Sequence, residues 1–387
     1  MGKKILSLVL ASVLALYMTA CGSSDSDAAT GNSEAAQTAE DAGQGMKIAI
    51  VSSPAGVDDH SFNEDNYNGI LAFIESHPAA TVTPVQETTG DTAASIATVA
   101  DIVDDYNVIV CCGFQFAGIV EIAQANPDVK FILVDSFPSD AEGNEVEVDN
   151  IFAMCFAEQE SGFFAGMAAA LETKANKVAV VNGVAYPSNV NYQYGFECGV
   201  KYVNITEGKD VEIVELPAYA GTDVTGADVG GNYIGSFADI ETGTVLGREL
   251  IAEGVDVIFT AAGTAGSGVL AAVKEVNDVW YIGCDIDQYD DGADGSRNVM
   301  LTSAIKVMHR DVERTLNAIS VGFFGGGNVT LQVDTGSTGY VKDEGRNQLS
   351  ADTIKKIDAA YELLIIGDIV PAANFNGITP DDFMEEQ

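Results

Sequence analysis

Short, wholly apolar runs alternate with stretches of helical spacing along this chain, and the series occurs twice. Lys47 to Ser52, Val108 to Cys112 and Lys130 to Val134 read as buried strands, and Thr81 to Gln86 as an alternating one. Between them the spacing predicts helices over Asn68 to Ser76, Ala93 to Tyr106 and Ile119 to Gln124. The rhythm restarts at a Gly/Ala-rich helix, Glu160 to Glu172. Strands follow at 177–182, 211–216, 256–260, 279–284 and 300–304, with helices at 192–202, 239–253 and 267–276. A strand that is apolar along its whole length must be covered on both faces, which points to parallel sheets between helix layers. The fold class is therefore α/β, with two doubly wound lobes. A helix through Ser320, a strand-plus-loop at 331–341 and a helix at 352–366 remain after the second series, so the chain crosses between lobes more than once.

The N-terminus carries a different pattern. Lys3 and Lys4 precede the apolar run Ile5 to Leu16, which is too short for a stable membrane span and fits a signal peptide over 1–20. It ends in Met18-Thr19-Ala20-Cys21, small residues before a cysteine, as in a bacterial lipobox. Cys21 is the expected lipidation site, with Met18 where Leu is usual. Residues 21–45 are small, polar and acidic and bury too little to order themselves, so a flexible tether is expected. Lipid, tether and globule together describe a protein held at the extracytoplasmic face of the cell membrane. Cys111, Cys112, Cys155, Cys198 and Cys284 sit in apolar runs and read as buried thiols.

Charge narrows the partners. With 18 Lys+Arg against 58 Asp+Glu, the formal net charge is −40. Clustered cations for phosphate neutralisation are lacking, which argues against nucleic-acid binding and electrostatic docking on anionic lipid.

In doubly wound sheets, ligands lie beyond the carboxyl ends of the strands. The residues there include Asp58, Asp59, Gly113, Asp135, Gly183, Gly263 and Asp285. Glycines allow close backbone approach, and carboxylates accept hydrogen bonds from hydroxyls or base N–H groups. Tyr67, at the start of a helix, offers a flat face. An aromatic face with carboxylates suits a ligand that has a π-system and vicinal hydroxyls, such as a nucleoside. The alternative reading makes each Asp a helix cap and Tyr67 a packing residue.

Gly56-Val-Asp-Asp-His-Ser-Phe-Asn63, followed by Tyr67 and Gly69, resembles the opening motif of the basic membrane protein family, lipoprotein receptors many of which bind purine nucleosides for ABC importers. Similar segments run through Phe131-Ile-Leu-Val-Asp135, Glu160-Ser-Gly-Phe-Phe-Ala-Gly166, Tyr194-Gly-Phe-Glu-Cys-Gly199 and Tyr233 to Asp239. They continue through Asp256 to Gly263, Ile282 to Gln288 and Leu301 to Lys306. The resemblance implies a type I periplasmic-binding-protein fold with a multi-crossing hinge. The expected lobes are 46–155 plus about 302–330, and 156–301 plus about 331–387. The resemblance implies further that Asp58 and Asp59 address the base edge with Asn63 nearby, and that Tyr67 stacks on the base. Asp135 and Asp285 would accept from ribose hydroxyls, Lys306 would donate to the ribose region or orient Asp285, and Gly263 would bring backbone close. The implied partners are a purine nucleoside, an ABC permease and the membrane through the lipid. No cofactor, metal or catalytic residue is implied.

Two departures bear on the ligand. The loop 261–268 lacks the second stacking aromatic, for which Phe237 or Tyr192 are substitutes, and 218–232 reads as a long surface loop inserted relative to the family. Competing readings are a receptor for a sugar or riboflavin-like compound, and a metal-dependent surface nucleoside hydrolase built on the aspartates. The glycine-rich run 263–268 lacks a Walker lysine. The acidic run from Asp285 to Asp294 departs from an EF-hand at Tyr289, Asp290 and Ser296. Asp59, His60 and Ser61 are adjacent on one loop, a poor arrangement for a catalytic triad.

Overall fold

A computed structural model describes residues 45–384; the expectations for the signal segment, Cys21 and nearly all of the tether lie outside them. The first series runs β1 (Lys47–Ser52), α1 (Phe62–Ser76), β2 (Thr81–Gln86), α2 (Thr92–Ile102), β3 (Val108–Cys112), α3 (Val120–Ala125), β4 (Lys130–Val134) and β5 (Ile151–Phe156). The second begins with α4 (Glu158–Glu172), β6 (Lys177–Asn182), α5 (Pro187–Glu207), β7 (Glu212–Ile213), β8 (Gly221–Thr222) and β9 (Asp228–Gly230). It continues with α6 (Ile240–Ala252), β10 (Val257–Ala261), α7 (Gly266–Lys274), β11 (Trp280–Asp285), the short β12 (Ala293–Asp294) and β13 (Arg297–Asn298), and β14 (Met300–Lys306). Then come α8 (Met308–Ser320), β15 (Gly327–Leu331), β16 (Thr338–Tyr340) and α9 (Ala351–Ile365).

The strands form two sheets of the same design. The first has the order β15-β5-β4-β3-β1-β2 and is parallel throughout. The second has the order β16-β14-β11-β10-β6-β7, with only β16 antiparallel. Each sheet carries an apolar core on both faces, as the apolar strands require. Helix starts are capped by residues that the sequence places there: Asp91 accepts from Ala94 N, Asp239 from Thr242 N and Ser350 from Thr353 N. Among the described residues no helix is long and apolar enough to cross a membrane.

The chain crosses between the sheets after β5, after β14 and after β15. The second crossing falls at Val307 rather than near 302, because β14 stays hydrogen-bonded to β11 through Ile305. The first turn of α4 ties the crossings together. Ser161 Oγ donates to Ile305 O at 2.7 Å and accepts from Gly339 N at 3.1 Å. Glu160 Oε2 accepts from Val333 N at 2.8 Å and Thr338 Oγ1 at 2.5 Å.

The expected surface loop at 218–232 is more structured than its composition suggests. It contains the β8–β9 hairpin, and buried Asn232 anchors its end by donating to Val180 O and Val214 O and accepting from Leu216 N. Those bonds satisfy backbone groups at the sheet edge, which the Gly/Asp-rich pattern does not disclose.

Helices α4 and α5 touch backbone to backbone. Gly162 and Gly166 of α4 face Tyr192 O and Phe196 O, while Gly195 and Gly199 of α5 face Gln159 O and Phe163 O. This approach carries Asn191 and Tyr192 to the first turn of α4 and the end of β11. A Cβ at Gly166 would lie 2.1 Å from the Phe196 carbonyl oxygen. Gly166→Ala is therefore expected to lower stability by about 1–3 kcal/mol in urea denaturation, as overpacking does. Gly325→Ala, with nothing within 4 Å of the new carbon, should stay within about 0.5 kcal/mol. Equal effects of the two substitutions would contradict the close helix contact.

Candidate functional site

Both sheets reverse strand order at equivalent places, β1/β3 and β6/β10, and their strand ends line one cavity of about 180 Å³. That is room for a small organic molecule rather than a lone water. The first lobe contributes Ser53 to Ala55 after β1, Cys112 to Gln115 at and after β3, and Asp135 after β4. The second contributes Val184 and Tyr186 after β6, Gly263 after β10, and Asp285 and Lys306 ending β11 and β14. Asp135 and Asp285 hold matching positions in the two lobes, and both have left-handed backbone, φ 61° and 68°. Such a conformation is costly outside glycine and concentrates at functional sites.

At the centre is Lys306, 2% exposed. Its ammonium lies 2.5 Å from Asp135 of the other lobe, 3.5 Å from Glu158 and 3.9 Å from Asp285. The rings of Phe62, Phe156 and Tyr192 surround it, with centroids 4.9, 5.6 and 5.6 Å from Nζ. Burial alone would strip its proton, but the carboxylates of Asp135, Glu158 and Asp285 hold its pKa far above that of a free lysine. Burial also raises Asp135, with Lys306 opposing the rise and Asp285 adding to it.

Asp285 accepts from Ser61 Oγ at 2.6 Å and from Tyr192 OH at 3.0 Å. The first of these bonds joins the lobes, as does Gln288 Nε2 donating to His60 O at 2.9 Å. Asp135 Oδ1 and Asn63 Oδ1 are buried acceptors with no hydrogen-bond donor among the described residues. Asn63 is held in that orientation because its Nδ2 donates to Asp59 Oδ2 at 2.7 Å and Ser53 Oγ at 3.1 Å. Buried polar atoms without partners are few in folded proteins; others lie elsewhere in this fold, but these two belong to residues that line the cavity.

Asp59, Asn63, Asp135, Gly263, Asp285 and Lys306 all line this cavity; Asp58 and Tyr67 do not. Asp58 is exposed, and Tyr67 packs against the core of the first lobe. Asp59 borders the cavity, but its oxygens already accept from Ser61 N, Asn63 N, Asn63 Nδ2 and Glu64 N, which occupies a carboxylate's capacity. It is a helix-start residue that orients Asn63, and burial raises its pKa. Lys306 is tied to Asp135 more closely than to Asp285, against expectation. Helix α1 starts at Phe62, so Tyr67 lies more than a turn inside it and away from the strand ends.

The aromatic faces in the cavity are others. Phe114 of the first lobe stands 5.5 Å from Tyr186 of the second, and Tyr186 stands 6.0 Å from Phe237. Of the two substitutes considered for a second aromatic, Phe237 and Tyr192 both line the cavity. Phe114, Tyr186 and Glu158 are absent from the sequence reading. The signal for Phe114 was its place one residue past Gly113 at a strand end; Glu158 was hidden because α4 starts two residues before the expected Glu160. Outside the cavity, the acidic run after Asp285 is held by Arg346, which donates to Asp287 at 2.6 Å and Asp290 at 2.9 Å.

The profile described as "ABC transporter substrate-binding protein PnrA-like" matches residues 46–215 and 225–374, a break that takes in β8 but not β9. A Listeria innocua protein named "CD4+ T-cell-stimulating antigen" is 29% identical over 95% of this chain and 98% of its own length. The "ABC transporter nucleoside-binding protein BmpA" of Lactococcus lactis subsp. cremoris is 27% identical over 80% of this chain and 85% of its own. In three dimensions, a solved ABC transporter solute-binding protein from Aeropyrum pernix superimposes with a TM-score of 0.72, at 22% identity, covering 88% of this chain and 97% of that one. That likeness shows the type I periplasmic-binding fold. With the bulk of the described residues inside the profile, the chain belongs to the basic membrane protein family, the PnrA-like substrate-binding proteins of ABC transporters.

Proposed function

We propose that this chain is the lipid-anchored receptor of an ABC importer and closes on a purine nucleoside. The family consists of binding proteins rather than enzymes and is extracytoplasmic and membrane-associated. The observation that carries the ligand is the pairing, in one cavity, of a cross-lobe aromatic cluster with buried unpartnered acceptors. The base stacks on Phe114 and Tyr186, and Asn63 Oδ1 accepts from its edge. Asp135 Oδ1 and Asp285 accept from the ribose hydroxyls, Lys306 holds Asp135 in place, and Gly263 lets the backbone approach. The lipid is carried by Cys21 behind Met18-Thr19-Ala20.

Closure follows from where these groups sit. Phe114, Asn63 and Asp135 belong to one lobe; Tyr186, Asp285 and Lys306 belong to the other. A ligand that touches both sets stabilises the closed arrangement by its differential affinity for it. The permease then meets a surface that exists only when the ligand is enclosed.

Calorimetry with guanosine, inosine, adenosine, ribose and riboflavin tests the assignment. At least one purine nucleoside should bind. Heat from ribose or riboflavin alone would move the protein to another ligand class. Conversion of inosine to hypoxanthine in the presence of divalent metal would make it a hydrolase.

Substitutions separate the aromatic assignments. Phe114→Ala should weaken nucleoside binding by about 1–3 kcal/mol, the worth of one stacked base. Tyr67→Ala should leave affinity within about twofold; the reverse order would return the stacking role to Tyr67.

Asp135→Asn should cost roughly 1.5–3 kcal/mol for a ribonucleoside and much less for its 2′,3′-dideoxy counterpart, because the lost bonds are to the diol. Equal losses for the two ligands would remove Asp135 from the ribose.

A further inference from the structure

Glu158 is a buried carboxyl that neither the base nor the ribose assignment uses. It opens α4 just past the first crossing and is 3% exposed. Its Oε1 lies 3.5 Å from Lys306 Nζ, and its Oε2 accepts from Asn191 Nδ2 at 3.3 Å. Asn191 is fixed from its other side, where its Oδ1 accepts from Asn374 N at 2.9 Å. Asn374 belongs to the C-terminal segment, which also donates to Pro187 O at the start of α5.

The groups that face Glu158 are Asp135 after β4, Asp285 on β11, Lys306 on β14, Cys155 on β5 and Tyr192 on α5. Cys155 and Tyr192 are themselves pushed upward by burial and stay neutral. One ammonium thus stands among three buried carboxyls. An uncompensated buried charge costs several kcal/mol, roughly, so the cluster takes up a proton instead. Asp135 has the short contact to Lys306, and Asp285 has two hydroxyl donors. Among the described residues Glu158 accepts only the two long side-chain contacts, which makes it the group most easily left protonated. As an acid it has a proton to share with Asp135, and such a bond favours the ionised form of Asp135.

We propose that Glu158 is a positioning residue for ligand binding, resident as a neutral acid, which bridges Asp135 and Lys306 so that the second oxygen of Asp135 is presented to the ligand. The proposal rests on the cavity being the nucleoside site. Burial drives the Glu158 carboxyl up to about 8, opposed by Lys306 and reinforced by Asp135. Ionisation above that pH makes Glu158 a second claimant on the ammonium and a repulsive neighbour of Asp135.

Glu158→Gln is the informative variant, because its amide oxygen accepts from Lys306 and its amide nitrogen donates towards Asp135 without ever ionising, giving up only the long bond from Asn191. Guanosine affinity of the wild type should fall by on the order of tenfold as pH rises from 6 through 9. E158Q should match the wild type at pH 6 and stay flat, while Glu158→Ala should bind weakly throughout.

The unliganded protein supplies a second readout. An acid raised from 4.5 to about 8 on folding holds more protons in the folded state between those values, so it makes stability decline as pH rises through that window. The folding constant of E158Q relative to wild type should therefore climb by up to about tenfold per pH unit from pH 5 to 8. A wild-type stability slope in E158Q, or equal weakening of guanosine binding by Gln and Ala, would overturn the proposal. Absence of guanosine binding by the wild type would withdraw the nucleoside reading, and the unliganded pH series would still decide the state of Glu158.

Discussion

One buried ion pair organises this molecule. The ammonium of Lys306, at the end of a second-lobe strand, meets Asp135, at the end of a first-lobe strand, at 2.5 Å with both groups almost wholly out of water. Desolvating such a pair costs several kcal/mol per ion, roughly, and partners and hydrogen bonds must offset it. The offset comes from Glu158 and Asp285 and from the three aromatic rings around the ammonium. These groups are drawn from both lobes, Phe62 and Phe156 from the first and Tyr192 and Asp285 from the second, so the pair is satisfied only when the sheets face each other as they do here.

The scaffold delivers the pair through repetition. Each sheet presents, on equivalent strands one removed from its switch point, an aspartate in left-handed conformation. Strand β14 ends on Lys306 and passes directly into the second crossing, while α4 begins on Glu158 directly after the first. The hinge and the charged centre are therefore the same few residues. A small rotation about the crossings changes the spacing of the charges, and a ligand that bridges the lobes biases that rotation. The glycine contact between α4 and α5 holds Asn191 and Tyr192 against this centre.

Much of the fold was legible because parallel strands covered on both faces are continuously apolar, and Val108 to Cys112 or Lys177 to Asn182 allow little else. Boundaries were less so: the sequence ended the second-lobe strand near Ala304, and the pairing of Ile305 with Asp285 carries it on to Lys306. The carboxylates at strand ends were legible for the same topological reason, and Lys306 through the family resemblance alone. The aromatic residue was not. Tyr67 carried the family resemblance, whereas Phe114 stands on a one-turn 3-10 segment whose direction depends on Gly113 at φ 117°. Asp59 illustrates the opposite limit. A carboxylate in the loop between a strand and a helix reads equally as ligand contact or helix cap, and only its four bonds to 61–64 decide between them.

The central claim is that the two lobes enclose a nucleoside with its ring against Phe114 and Tyr186 and its diol on the carboxylates beside Lys306. A crystal structure grown with guanosine tests it most directly. The purine should stack against Phe114, with ribose hydroxyls within hydrogen-bond distance of Asp135 and Asp285. A guanosine seated elsewhere, a reversed pose with ribose at the aromatic cluster, or a cleft without guanosine at saturating concentration would contradict it.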